Sequence, residues 1–233
     1  MQRNALTLAM LLLATAPAPA LALTIVDQER FVEALVCEAG TSGPCDSERI
    51  DAADAGPFLA SASAALGAGP MAEASGDQDS RIETDRVIAS GNAAASTSDG
   101  TYFVRVQSSF ELFFDLVAPT AFSLVGAVFA EPTDSALGGV ELFQVGTGEV
   151  FSLYDDPFDG GQSSPFSVSG VLDPGSYRLY AFAGFVTEGC DPGECTGSGA
   201  YSFQFVVPEP ATGLLTGIAL AGLAAARRRG SSA

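Results

Sequence analysis

The chain has no histidine, no lysine and no tryptophan among its 233 residues. Each absence removes a class of chemistry. Without His there is no Ser-His-Asp triad, no Cys-His pair and no His-ligated zinc or copper site. Without Lys there is no Schiff-base chemistry and no phosphate-loop lysine. Positive charge is scarce too: ten Arg stand against 28 Asp and Glu, a net charge of −18. No nucleic acid is expected as a partner, because such affinity comes from Lys and Arg on phosphates. What is present points to a globular chain rich in turns. Hydrophobic residues make up 47% and charged residues 16%, with 26 Gly and 13 Pro. That mixture suits a β-rich domain better than a helical bundle.

Both ends read as addresses. Residues 1–22, MQRNALTLAMLLLATAPAPALA, place Arg3 before a short apolar stretch from Ala5 to Ala16. Ala20 and Ala22 then supply small residues at positions −3 and −1 of a cleavage site after Ala22, with Ala18-Pro19-Ala20 as the competing site. This is the layout of a secretory signal peptide.

The other end, residues 208–233, has three parts in order. Pro208-Glu209-Pro210 breaks any helix. Ala211–Ala226 is a 16-residue run without charge, and Arg227, Arg228 and Arg229 close it. A helix of that run is about 24 Å long at ~1.5 Å per residue, short of the ~30 Å hydrocarbon core. Gly213 and Gly217 form a small-residue pair within it, in a run so rich in Gly and Ala that chance accounts for the spacing. The Arg cluster keeps the C-terminus cytoplasmic and so places the preceding domain outside. This three-part tail resembles a PEP-CTERM sorting signal. The resemblance implies recognition of Pro208, Glu209 and Pro210 by an exosortase, transient anchoring in the inner membrane through the C-terminal hydrophobic helix, and removal or exchange of the tail. It implies delivery to the cell surface or extracellular matrix of a Gram-negative bacterium that makes exopolysaccharide.

The four cysteines fall in two close pairs, Cys37 with Cys45 and Cys190 with Cys195. In an exported chain an even count suggests disulfides, with local pairing the simplest of three connectivities. A tetrathiolate zinc site fits less well, since Cys37 and Cys45 are more widely spaced than zinc pairs usually are.

Between the addresses, residues 23–207 leave out Arg3, Arg227, Arg228, Arg229 and Glu209. Six arginines then face 27 carboxylates, a net charge of −21. Residues 23–55 read as a helical and loop-like segment. Phe31, Val32, Leu35 and Val36 have helical spacing, and Asp27 and Glu29 suit the first turn; a strand over LTIV competes at its start. Residues 56–207 read as period-2 strands: FLASASAAL, DRVIASGNAAAS, TYFVRVQ, SFELFFDLV, AFSLVGAVFA, GVELFQV, EVFSLY, PFSVSGVL, SYRLYAFAGFV and AYSFQFVV. Turn-forming segments such as SDG, GTG and DPG separate them. In SYRLYAFAGFV, Tyr177 and Leu179 face one side while Arg178, Tyr180 and Phe182 face the other. The expected fold is all-β, an antiparallel sandwich or jelly roll with a short N-terminal helical segment and a C-terminal hydrophobic helix.

Candidate sites are few. Asp155 and Asp159 occupy positions 1 and 5 of an EF-hand-like loop, but Pro157 and Phe166 stand where ligands belong, so that pattern fails. A looser calcium site at Asp155, Asp156 and Asp159 is left beside the plain reading of a solvated acidic turn; no other cofactor is expected. Asp77, Asp79, Glu83 and Asp85 form a second acidic cluster. Carboxylate pairs can hydrolyse glycosides, but 27 carboxylates make some pairing inevitable, and catalysis is not expected. Tyr102, Tyr154, Tyr180 and Tyr201 are candidates for stacking on sugar, or else for packing with a hydroxyl at the surface. The sequence therefore leads to an exported, non-catalytic surface or matrix protein, structural or adhesive in an envelope or biofilm. A polysaccharide- or calcium-binding module is the alternative, and a carboxylate-dependent hydrolase the third reading.

Overall fold

In FLASASAAL every second residue from Phe58 is alanine or a larger apolar group, and Ser61 and Ser63 stand between them. That pattern places one face of a strand against a core and the other in water. A computed structural model describes residues 23–38, 43–67, 71–98, 101–131, 135–155, 163–187 and 195–208. Among them are twelve strands and no helix. The strands are β1 (Thr24–Glu38), β2 (Cys45–Asp51), β3 (Phe58–Leu66), β4 (Ala72–Ile82), β5 (Arg86–Thr97) and β6 (Tyr102–Leu116). They continue with β7 (Thr120–Ala130), β8 (Ala136–Gln144), β9 (Gly148–Asp155), β10 (Ser164–Leu172), β11 (Gly175–Thr187) and β12 (Cys195–Val206).

Two six-stranded antiparallel sheets stack face to face. The first runs β2-β1-β6-β11-β8-β9 and the second β10-β7-β12-β5-β4-β3. The core between them comprises Phe110, Leu112 and Phe114 of β6, Tyr177, Leu179 and Phe185 of β11, and Phe203 and Phe205 of β12. Phe205 packs against Phe114 and Phe122 with ring centroids 5.5 and 6.2 Å apart. As the alternation in SYRLYAFAGFV predicts, Tyr177 and Leu179 point inward and Arg178, Tyr180 and Phe182 outward. Tyr177 Oη donates to the carbonyl of Asp173 at 2.7 Å, which pins the turn before β11. The β8–β9 hairpin turns at Gly146, whose φ of +86° excludes most side chains.

Two expectations are corrected and one further strand is added. Phe31, Val32, Leu35 and Val36, read as a helical stripe within residues 23–55, lie in β1, which pairs along its length with β6. The helical spacing misled because both faces of β1 carry apolar groups. Val32, Ala34 and Val36 face the core, while Phe31 on the outer face is covered by the Arg49 guanidinium, 3.8 Å from its ring centroid. TYFVRVQ and SFELFFDLV are one strand, β6, with Ser108 buried at the junction. The acidic stretch around Asp77 is also a strand, β4. Its inward face is Ala72, Ala74, Gly76, Gln78 and Ser80, too small and polar to read as a core.

One lateral opening of the sandwich is laced shut by carboxylates. Glu48 and Asp46 of edge strand β2 accept backbone N–H bonds from Ser63 and Ala65 of edge strand β3, each at 2.9 Å. Edge N–H groups left free would invite another strand.

Candidate functional site

The outer face of the first sheet carries large side chains where a solvated face ordinarily carries small polar ones. Pairing register places them. Phe182 of β11 lies opposite Gly139 of β8, and Gly139 opposite Tyr154 of β9. In the next row, Tyr180 lies opposite Glu141 and Glu141 opposite Ser152. Tyr180 and Phe182 stack at 5.5 Å between centroids, and Tyr154 and Phe182 meet at 5.9 Å. Gly139 is the floor: a Cβ there would fall 2.6 Å from the Phe182 ring and 2.9 Å from that of Tyr154, so the rings close over bare backbone. Tyr154 is 51% exposed.

Charges frame these rings. The Arg178 guanidinium lies 4.6 Å from the Tyr180 ring centroid and donates through Nε to Glu111. Glu141 is only 7% exposed, although it belongs to the outer face. Burial raises its pKa above the ordinary carboxylate value; Arg178 counteracts this and Glu149 adds to it. No hydrogen bond to its carboxylate from a described residue contributes. Burial likewise raises the Tyr180 phenol, with opposing contributions from a hydrogen bond to Ser109 and from Arg178. Toward β1 and β2, Arg49 reaches Asp51 at 2.8 Å, Glu29 at 3.5 Å and Glu33 at 3.6 Å, so that cation is spent on local pairs.

The other predicted residues are dispersed. Asp155 is buried: its Oδ2 accepts the Ala130 N–H at 2.8 Å, and its Oδ1 lies 3.4 Å from Ser164 Oγ. It thereby fastens β9 of one sheet to β7 and β10 of the other. Asp156 and Asp159 lie outside the described residues. No group of three or more metal-ligating side chains occurs among the described residues. Asp77 and Asp79 point to solvent from β4, and Glu83 pairs with Arg86 at 2.7 Å and Arg81 at 3.8 Å. Cys37 and Cys45, opposite each other in β1 and β2, form a disulfide. Cys195 is also disulfide-bonded, and its expected partner Cys190 lies outside the described residues. Tyr102 and Tyr201 are core residues. Of the sequence-predicted tyrosines, therefore, the structure brings only Tyr154 and Tyr180 to one exposed surface.

One buried cation had no signal in the sequence. Arg30 is 1% exposed and, among the described residues, forms no salt bridge, although the nearby Asp54 charge opposes the effect of its burial. Its Nε donates to Gln28 at 2.6 Å, its Nη1 to Ser80 at 3.1 Å, and its Nη2 to the carbonyl of Asp54. Burial lowers its pKa. These bonds tie β1, β4 and the β2–β3 connection together, a structural task.

Residues 206–229 match the PEP-CTERM protein-sorting motif. That motif is the mark of an exported protein addressed to the cell surface by an exosortase. Of its residues Val206, Val207 and Pro208 are described, Pro208 exposed, while Glu209, Pro210, Arg227, Arg228 and Arg229 lie outside the described residues, as do the expected C-terminal helix and residues 1–22. No helix of the described residues is long and apolar enough to cross a membrane. No characterised sequence matches the chain. Among solved structures, the chain is similar to TmCBM61 in complex with β-1,4-galactotriose, at 12% identity over 49% of this chain and 82% of that one, with a TM-score of 0.27. It is also similar to the infectious bursal disease virus VP2 subviral particle, at 11% identity over 79% and 57% of the chains, with a TM-score of 0.29. A third is the enzymatically active domain of tailspike protein 4 of bacteriophage CBA120, at 12% identity over 58% and 19%, with a TM-score of 0.26. Likenesses this distant carry no functional argument.

Proposed function

We propose that the chain is an exported, non-catalytic protein delivered by an exosortase to the cell surface or extracellular matrix, where its β-sandwich serves a structural or adhesive role. The carrying observation is the sorting motif at residues 206–229, which begins on the last residue of β12. Support for a passive role comes from the charged groups of the outer face. Arg49, Arg105 and Arg178 are engaged with Glu29, Glu33, Asp51 and Glu111, an arrangement that braces a surface. Intact mass of the protein from its native host, fraction by fraction, tests delivery. The expected species lacks residues 1–22 and the tail from near Pro208, and is found in the surface or medium fraction. A species that keeps Arg227–Arg229 in the inner membrane would overturn the sorting reading. The partly exposed ring cluster around Gly139, with Tyr154 half exposed, favours an adhesive role over a purely structural one, because the latter gives no reason to leave such a cluster open to solvent.

A further inference from the structure

We propose that the Tyr180–Phe182–Tyr154 ring strip, with Glu141 recessed beside it, is a binding site for a neutral saccharide chain. This deepens the adhesive reading above and rests on it.

The rings offer what the C–H face of a sugar requires. They are electron-rich, they close over the Gly139 backbone with Tyr154 tilted 50° to Phe182, and Tyr154 is half exposed. Their extent follows from the register. Tyr180 and Phe182 stand on β11 and Tyr154 on β9, two strand spacings away, or about 10 Å at ~4.8 Å each. Glu141 stands between them on β8. It is a nearly buried carboxylate on the solvent side of the sheet, and the nearest cation, Arg178, is already bonded to Glu111. No described residue donates to this carboxylate, so its acceptor capacity is open to a ligand. Sugar hydroxyls supply the donors, in charge-assisted hydrogen bonds beside the stacked ring.

Charge selects among occupants. Glu29, Glu111, Glu141 and Glu149 share this face or its rim, so a polyuronate or a nucleic acid is repelled. A second copy of a chain with net charge −18 meets the same repulsion. An apolar peptide or lipid would seal Glu141 away without a donor. A neutral saccharide avoids all three penalties.

The test is calorimetric titration of the full chain with neutral β-linked hexasaccharides of glucose, mannose, xylose and galactose, and with polygalacturonate as the acidic probe. At least one neutral probe is expected to bind with a Kd of about 1 mM or tighter. Tyr154→Ala should weaken that binding about tenfold or more, as loss of an anchoring ring does. Tyr154→Phe should retain it, and Glu141→Gln should weaken it while leaving the melting temperature unlowered. Leu59→Ala, 81% exposed on the opposite sheet, should leave binding unchanged. The proposal is overturned by absence of binding to every neutral probe, by preference for polygalacturonate, by equal binding of wild type and Tyr154→Ala, or by dimerisation through this face. Because the titration uses purified protein, its failure leaves delivery untouched. A failed mass experiment likewise leaves the titration intact.

Discussion

The core has a thin end and a thick end. Where β3, β4 and β5 cover β1 and β6, the second sheet points Ala60, Ala62, Ala64, Ala72, Ala74, Ala89, Ala93 and Ala95 inward. The facing side chains are Val32, Ala34, Val36, Val104 and Val106. Where β12 and β7 cover β11 and β8, the inward groups are Phe203, Phe205, Phe122 and Leu124, against Tyr177, Leu179, Leu142 and Phe185. An alanine methyl removes far less area from water than a phenyl ring, at ~25 cal/mol per Å². The thick end therefore holds by burial. The thin end leans more on polar and covalent ties: the Asp46 and Glu48 bonds to β3 and the Arg30 network join the sheets there, and the Cys37–Cys45 disulfide joins β1 to β2, while the thick end adds the Asp155 bonds to β7 and β10. The lesson is that where small side chains leave little apolar area to bury, polar and covalent ties supplement the core.

This contrast can be tested from both ends. The largest effect belongs to the thick end: Phe205→Ala should cost about 3–5 kcal/mol in denaturant unfolding, since Phe205 is fully buried among rings. Next comes the bridge between β1 and β2. Cys37→Ser with Cys45→Ser should cost about 2–3 kcal/mol, the value for so short a loop, against no change for reductant added to the double variant at this bridge. Smallest is the spacing itself. At Gly76 a Cβ would come 2.9 Å from Val32 and 3.2 Å from Val106, so Gly76→Ala should cost about 1–3 kcal/mol by overpacking. A neutral or stabilising Gly76→Ala would show that the sheets are not closely apposed there and would erase the distinction between the ends.

Where burial alternates strictly with chemistry, the chain declares its strands. β3, β7, β10 and β11 lie where FLASASAAL, AFSLVGAVFA, PFSVSGVL and SYRLYAFAGFV predict them. β1 and β4 were illegible for opposite reasons. β1 has apolar groups on both faces, so period 2 is masked, and its partner β6 lies far along the chain. β4 buries Gly76, Gln78 and Ser80, which no hydrophobicity pattern marks as interior. The candidate site was legible only in part. Tyr154 and Tyr180 are conspicuous as aromatics, and alternation placed Phe182 beside Tyr180. Glu141 and Gly139 gain meaning only because β8 lies between β11 and β9, a neighbour relation that local sequence does not encode.

Strand β12 has one more consequence. It is an interior strand, paired with β5 from Cys195 to Val206 and with β7 from Gly199 to Val206, and the sorting motif begins on its last residue. Beyond Val206, only Val207 intervenes before Pro208, and its N–H donates to the carbonyl of Asp85 at 2.8 Å. A load applied to the tail therefore has no slack to take up. It runs along the axis of β12 and must shear two hydrogen-bond ladders at once, where a load on an edge strand would peel a single ladder open. The sorting motif thus begins on a strand paired on both sides, which resists unzipping more than the edge strands β2, β3, β9 and β10 do.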